Sequence, residues 1–186
     1  TISSSPTEKY LEFTKKITSS DFSNSLNNLK IGDKIKVRFP YGNFILKEGR
    51  KKFTFLTGGI GITPVRSICK YITDKALDIK ATVLLSINTP DDDVFKSDFD
   101  LMERSNKNLK VIRTLTSRDM DVEKRNVTCR FGYINKEMIQ CEVPDCHERM
   151  FYISGPPKMV DGMNCILKDE LLLPDLDVVT ENFIGY

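Results

Sequence analysis

Residues 53 to 74 constrain this chain more than any other stretch. A short apolar run at 53–57 passes into ThrGlyGlyIleGlyIleThrPro at 57–64, then into a segment where Val65, Ile68, Cys69 and Ile72 recur at the spacing of one helical face. A strand that turns through glycine into a helix is the unit of parallel sheets, because parallel neighbours need a crossover between them. The alternation continues with strands at 81–87, 109–115, 150–154 and 178–183, and helices at 95–104, 136–140 and 157–167. The pattern predicts an α/β region with a five-stranded parallel sheet covered on both faces. The first fifty residues read differently. The stretch at 10–17 is rich in β-branched and aromatic types, 34–39 alternates basic and apolar residues, and Leu26 and Leu29 stand at helical spacing after a Ser-rich start. They predict short strands with one wet face, a short capped helix at 23–30, and a boundary near residue 50 that divides the chain into 1–50 and 51–186.

Two turns carry the chemistry. Gly58, Gly59 and Gly61 let backbone approach another group closely, and the helix that follows offers free N–H groups and a positive dipole end suited to phosphate. The competing reading is a turn that only makes room for helix packing. The turn is not GxGxxG, and no GlyLysSer or GlyLysThr follows, which excludes a Walker-type phosphate loop. SerGlyProPro at 154–157 is a second turn between a strand and a helix, and two such turns facing one crevice imply an extended ligand.

Composition removes other classes. With 28 Lys and Arg against 26 Asp and Glu, and no basic cluster, the chain does not read as a nucleic-acid or anionic-membrane binder. Its apolar runs fall far short of the about 20 residues of a membrane-spanning helix, so the reading is a cytoplasmic protein. Five scattered Cys (Cys69, Cys129, Cys141, Cys146, Cys165) form no CxxC pair and suggest reduced thiols rather than disulfides, zinc or an iron–sulfur cluster. His147, the single histidine, lies in a polar loop and reads as a surface residue; no metal site is expected. AspAspAsp at 91–93 reads as an acidic helix start that complements the dipole.

Five segments, in order, resemble the ferredoxin-NADP reductase superfamily of FAD-dependent oxidoreductases. ThrIleSerSerSerPro at 1–6 resembles the end of the flavin motif Arg-x-aromatic-Ser/Thr, and LeuLysIleGlyAspLysIleLysVal with PheProTyrGlyAsnPheIleLeu, within 29–46, the end of the flavin barrel. ThrGlyGlyIleGlyIleThrPro resembles the nicotinamide-side turn, SerGlyProProLysMet at 154–159 the Cys/Ser-Gly-Pro element, and GluAsnPheIleGlyTyr at 181–186 the acidic-aromatic terminus. The resemblance implies a partial antiparallel β-barrel, the carboxyl-terminal half of an FAD domain, at 1–50, ahead of the NAD(P)-binding α/β domain. It also implies that a native chain has residues before Thr1.

The resemblance implies FAD and NAD(P)H as cofactors, with hydride passing from NAD(P)H to flavin N5 and electrons onward to a ferredoxin-like protein, an oxygenase component or a small acceptor. Its FAD contacts fall on Thr1, Ile2, Ser3, Phe13, Lys15, Ser20, Phe22, Ser23, Phe183 and Tyr186, with Ser20 standing where glycine is usual. The NAD(P) contacts fall on Gly59, Ile60, Gly61, Thr63, Ser86, Asn88, Arg118, Gly155, Pro156 and Met159; the catalytic candidates are Glu181, Thr63 and Ser154. Ser86, Ile87 and Asn88 occupy the place where NADPH-preferring members carry Arg, which favours NADH, with Arg118 as the alternative phosphate ligand. The other reading is a nucleotide-binding regulatory or electron-transfer subunit that lacks full flavin binding, since the Arg and aromatic of the flavin motif are missing.

Overall fold

A computed structural model describes residues 1–38, 41–117 and 129–183. Six strands form one sheet: β1 (Lys52–Gly58), β2 (Lys80–Ile87), β3 (Leu109–Leu115), β4 (Arg130–Phe131), β5 (Met150–Gly155) and β6 (Val178–Asn182). Their order is β4-β3-β2-β1-β5-β6 and every pair is parallel. Among the described residues the sheet therefore has six strands rather than the five expected. The addition is β4, a two-residue edge strand too short to leave a periodic signal.

The helices are α1 (Asp21–Asn27), α2 (Ile62–Asp74), α3 (Lys96–Ser105), α4 (Lys136–Glu142) and α5 (Pro157–Cys165), the last prolonged by a π turn at Ile166–Glu170. Helices α2 and α3 cover one face of the sheet, where Val65, Cys69, Phe99 and Met102 meet Phe55, Val83 and Leu85. Helices α4 and α5 cover the other, where Met138, Ile139 and Val160 meet Leu56, Leu84 and Ile153. Strands buried on both faces read as unbroken apolar runs, which is why β1, β2 and β5 were visible in the sequence.

The chain leaves β1 toward β2 on one side and later enters β5 on the other, so the strand order reverses at the seam between β1 and β5. Gly61 closes that seam. A Cβ on Gly61 would stand 2.3 Å from the Ser154 carbonyl oxygen and 2.7 Å from the Gly155 nitrogen, distances that backbone cannot relieve cheaply. Its φ of −59° suits any residue, so glycine is required there for space alone. Gly59 differs: its φ is +53° and no atom crowds its missing side chain. One glycine serves packing and the other backbone shape.

Residues 1–50 depart from expectation. Among the described residues they hold the seven-residue α1 and one isolated antiparallel bridge, Ile2 to Phe13, with no strand ladder at 10–17 or 34–38 and no partial barrel. The physical reason is the lack of a partner: Ile17, Ile35 and Val37 are exposed, and an alternating segment does not pair by itself. Not one apolar side chain before Phe53 is buried among the described residues.

Polar contacts tie this segment down, together with Phe44 and Leu46, which pack partly buried against the core. Arg66 of α2 donates to the Ser3 carbonyl and the Glu8 carboxylate, Ser67 Oγ to the Ser4 carbonyl at 2.7 Å, and Tyr152 Oη to the Ile45 carbonyl at 2.5 Å. Phe44 adds an edge-on contact with the Tyr152 ring at 5.0 Å between centroids.

Replacing Gly61 by Ala is expected to cost about 1–3 kcal/mol through overpacking, read as a lower urea midpoint. Gly59→Ala is expected to cost about 1–2 kcal/mol and Gly59→Asn less, since Asn tolerates the left-handed region. Equal losses for Gly59→Ala and Gly59→Asn contradict the conformational role, and a wild-type midpoint for Gly61→Ala contradicts the packing role. The Arg66 guanidinium holds the Glu8 carboxyl down at about 2, from an ordinary 4.5. Burial opposes ionisation of Asp145, but Arg149 and Lys52 prevail and hold it at about 2 as well. A carboxyl depressed on folding stabilises above its unfolded pKa and loses that contribution as pH falls through the folded value. Unfolding free energy is therefore expected to drop from about pH 4.5 to about 2, with a shallower drop in Glu8→Gln; identical slopes contradict the assignment.

Candidate functional site

The carboxyl ends of β1, β2 and β5 open onto a cleft of about 750 Å³. Its floor comes from the two glycine turns, Gly58 to Ile60 after β1 and Pro156 after β5. Met159 packs its thioether above Gly58 and Gly155, where a Cβ on either glycine would meet the sulfur within 3.2 Å. Ser86, Asn88, Asp91 and Asp92 line the part beyond β2, Thr116 follows β3, and Tyr133 follows β4. From β5 to β4 the cleft crosses four strand spacings, about 19 Å in all, which suits an elongated ligand rather than a compact one.

Two helices aim their amino ends at this cleft. Neither α2 nor α5 carries an acidic residue in its first turn, and α5 has Lys158 there, so both ends stay electropositive. The turn after β2 is opposite in character: Asp91 and Asp92 stand in its first turn, and Asp92 accepts from the Thr89 N–H at 2.9 Å and hydroxyl at 3.1 Å in a capping box. Within the acidic run, Asp92 is thus a cap, Asp91 and Asp92 also form part of the cleft wall, and Asp93 is buried against Arg113. An anion is favoured at the β1 and β5 ends and disfavoured at the β2 end.

A second groove of about 430 Å³ adjoins the first. Thr1, Phe13, Phe22 and Lys15 line it with Leu26, Leu29, Ile35 and Val37, and Thr14 and Lys15 line both cavities. An apolar trough with exposed aromatic edges at Phe13 and Phe22 and two lysines, Lys15 and Lys36, fits a ligand with a flat ring system and an anionic tail.

Of the residues singled out in the sequence, Gly59, Ile60, Ser86, Asn88, Pro156 and Met159 meet in the large cleft, and Thr1, Phe13, Lys15 and Phe22 in the smaller groove. Others lie beneath these surfaces. Gly61 and Gly155 form the seam. Thr63 is buried with its hydroxyl donating to the Ile60 carbonyl at 2.9 Å, and Ser154 is buried with Oγ donating to the Gly61 carbonyl at 2.9 Å. These two hydroxyls fasten the glycine turn and do not reach the cleft.

Ile2 pairs with Phe13, and Ser3 is buried against Glu12 and Thr14. Ser20 is the N-cap of α1, accepting from the Ser23 N–H at 3.2 Å, which accounts for a hydroxyl residue there; Ser23 itself is buried. Glu181 faces Ser154 across β5 and β6, is half-buried, lies within electrostatic reach of Thr1, and has its carboxyl pushed up by burial. The Phe183 N–H donates to the Gly155 carbonyl at 3.0 Å. Arg118 and Tyr186 lie outside the described residues.

Sequence reasoning missed Tyr133, Lys158 and Met163 as cleft residues. Lys158 and Met163 carried a signal, standing on the helix of the second turn, with Met163 four positions after Met159 on the same face. Tyr133 carried none, because it follows a two-residue strand. Among the described residues no group of three or more His, Cys, Asp or Glu could hold a metal ion, and no helix is long and apolar enough to cross a membrane.

This geometry agrees with what the chain is similar to. The oxidoreductase NAD-binding domain family matches residues 55–164, more than half of the chain. The glycine betaine monooxygenase reductase subunit of Chromohalobacter salexigens is 28% identical over 90% of this chain and 46% of its own length. NADH-cytochrome b5 reductase 1 of Dictyostelium discoideum is 29% identical over 74% of this chain and 48% of its own. The chain thus spans about half the length of these curated relatives.

Among solved structures, a ferredoxin NADP+ reductase from Neisseria gonorrhoeae with bound FAD and NADP superposes with a TM-score of 0.72 at 17% identity, covering 97% of this chain and 77% of that one. The FAD/NAD-binding domain of a nitric oxide dioxygenase from Vibrio cholerae gives 0.74 at 20% identity, covering 87% and 63%. With the glycine turns, the parallel sheet and the family match in agreement, the chain belongs to the oxidoreductase NAD-binding domain family and shares its fold with ferredoxin NADP+ reductase.

Proposed function

We propose that this chain is the nucleotide-binding part of an FAD-dependent oxidoreductase that takes hydride from NADH and passes electrons to a separate acceptor. The observation that carries the reading is the junction of the two cavities at Thr14 and Lys15. A dinucleotide in the large cleft and a flavin in the smaller groove then lie side by side.

The residues divide the work by chemistry. The electropositive ends of α2 and α5, with Lys158, take the dinucleotide pyrophosphate. Tyr133 offers an exposed ring for the adenine. Asp91 stands where a carboxylate accepts ribose hydroxyls and repels a 2′-phosphate, which supports NADH over NADPH. Thr63 and Ser154 hold the turn that sets the nicotinamide end, as positioning residues. Phe13 and Phe22 give the flavin an apolar bed, with Lys15 and Lys36 toward its phosphates.

Bound FAD supplies the hydride-accepting ring and the release of electrons in single steps. Burial pushes the Glu181 carboxyl up, and Thr1, which lines that bed, lies within its electrostatic reach. The relatives named above include the reductase of an oxygenase and of cytochrome b5, which supports a protein acceptor such as an oxygenase component or a ferredoxin-like carrier.

Full-length protein is expected to take up FAD with a visible flavin spectrum and to oxidise NADH with ferricyanide as acceptor. A colourless protein after FAD addition, with background NADH consumption, contradicts the reading. The kcat/KM for NADH is expected to exceed that for NADPH by about tenfold or more, the worth of one misplaced charge, with Asp91→Arg narrowing the ratio. An unchanged ratio contradicts the role of Asp91.

A further inference from the structure

Arg66 sits one turn into α2, five residues after Gly61, and its side chain is only 6% exposed. Four of its five N–H donors are engaged. Nη1 donates to the Ser3 carbonyl and to Glu8 Oε2, both at 2.8 Å, Nη2 to Glu8 Oε1 at 3.1 Å, and Nε to Asp98 Oδ2 at 2.6 Å. The guanidinium lies over the Phe95 ring, 5.4 Å from its centroid. One side chain therefore joins α2, α3 and two points of the amino-terminal segment.

The segment it grips is the one that walls both cavities. Ser3 donates its N–H to the Glu12 carbonyl at 2.9 Å, and Ile2 bridges to Phe13, so residues 2–13 fold back as one loop. Glu8 also accepts from the Ser5 N–H and the Tyr10 hydroxyl, both at 2.7 Å, which braces the loop's tip. Phe13, Thr14 and Lys15 emerge directly from that loop into the grooves. No buried apolar side chain supports it, so its position rests on polar contacts with α2.

Resting on the function proposed above, we infer that the Arg66–Glu8 pair is a clamp that fixes the flavin-side wall, residues 1–15, relative to the glycine turn at the start of α2. Arg66 is a positioning residue: it touches neither cavity, and acts by setting how far the two bound rings stand apart. Hydride transfer depends steeply on that distance, so loosening the clamp slows the transfer while leaving each nucleotide's own contacts in place. A bidentate guanidinium–carboxylate pair fixes orientation as well as distance, which a lysine cannot do.

The test uses the full-length, FAD-loaded protein with Arg66→Met, Arg66→Lys and Glu8→Gln, the last leaving α2 untouched. Two readouts are taken: amide hydrogen exchange at residues 2–14 against that of α2, and the rate of flavin reduction by NADH in single turnover. Arg66→Met and Glu8→Gln are expected to speed exchange at Ser3 and Thr14 with α2 unchanged. They are also expected to slow reduction about 10- to 100-fold, with KM for NADH within about threefold. Arg66→Lys is expected to fall between. An active wild type whose variants keep its exchange and reduction rates overturns the clamp alone. Variants that expose α2 as well make Arg66 a general stability residue and also overturn it. A wild type that takes up no flavin overturns the functional reading, and the clamp as a hydride-positioning device with it, whatever the exchange rates.

Discussion

The approach of Gly61 to the Ser154–Gly155 backbone decides where everything else at this site can stand. It lets the first turn of α2 pack directly on the end of β5, at the seam where the strand order reverses. The Ser154 and Thr63 hydroxyls are committed to this seam. The surface above it is then free for a ligand, lined by backbone of Gly58 to Ile60 and by Met159 rather than by reactive side chains. A site so built binds and orients, and leaves the chemistry to what is bound, which suits an enzyme family whose reaction belongs to its cofactor.

Two kinds of cohesion meet across this chain. From Phe53 onward the structure is held by two apolar cores on either face of a parallel sheet, where a buried Leu or Phe contributes about 1.5–3 kcal/mol. Before Phe53 the described residues fully bury no apolar side chain; residues 3–8 are held by Arg66 and Ser67, and Tyr152 holds Ile45 beside Phe44 and Leu46, which pack partly buried against the core. Hydrogen bonds contribute about 1 kcal/mol each, and charge-assisted ones more, so the amino-terminal segment is held by direction more than by strength. That difference makes its placement sensitive to single substitutions in a way the sheet is not.

The sheet was legible in the sequence because double-sided burial writes continuous apolar runs in β1, β2 and β5, while the partly exposed β3 and β6 showed by their place in the strand-helix alternation. The edge strand β4 left none, being two residues long. The alternation at 34–39 was misleading for a physical reason: alternation records a preference for a half-buried strand, and Lys34 to Arg38 have no neighbour here to bury against. At the site, the glycine turn was visible, and the structure adds what each glycine does: Gly61 makes room for the Ser154 carbonyl, and Gly59 holds a positive φ beside the cleft. Arg66 was invisible, since an arginine within an amphipathic helix looks like part of a wet face until the fold brings Glu8 and Asp98 to it. Tyr133 and Asp91 were likewise fixed by where strands end, which local pattern does not record.

That the carboxyl ends of β5, β1 and β2 form one dinucleotide site is tested most directly by titrating the isotope-labelled protein with NAD+ and following its backbone amides. The expected shifts fall on Gly59, Ile60, Asn88, Tyr133 and Lys158, with Asn108 and Asp145 at the opposite end of the sheet unmoved. Shifts centred on that opposite end, or none at saturating nucleotide, would contradict the site.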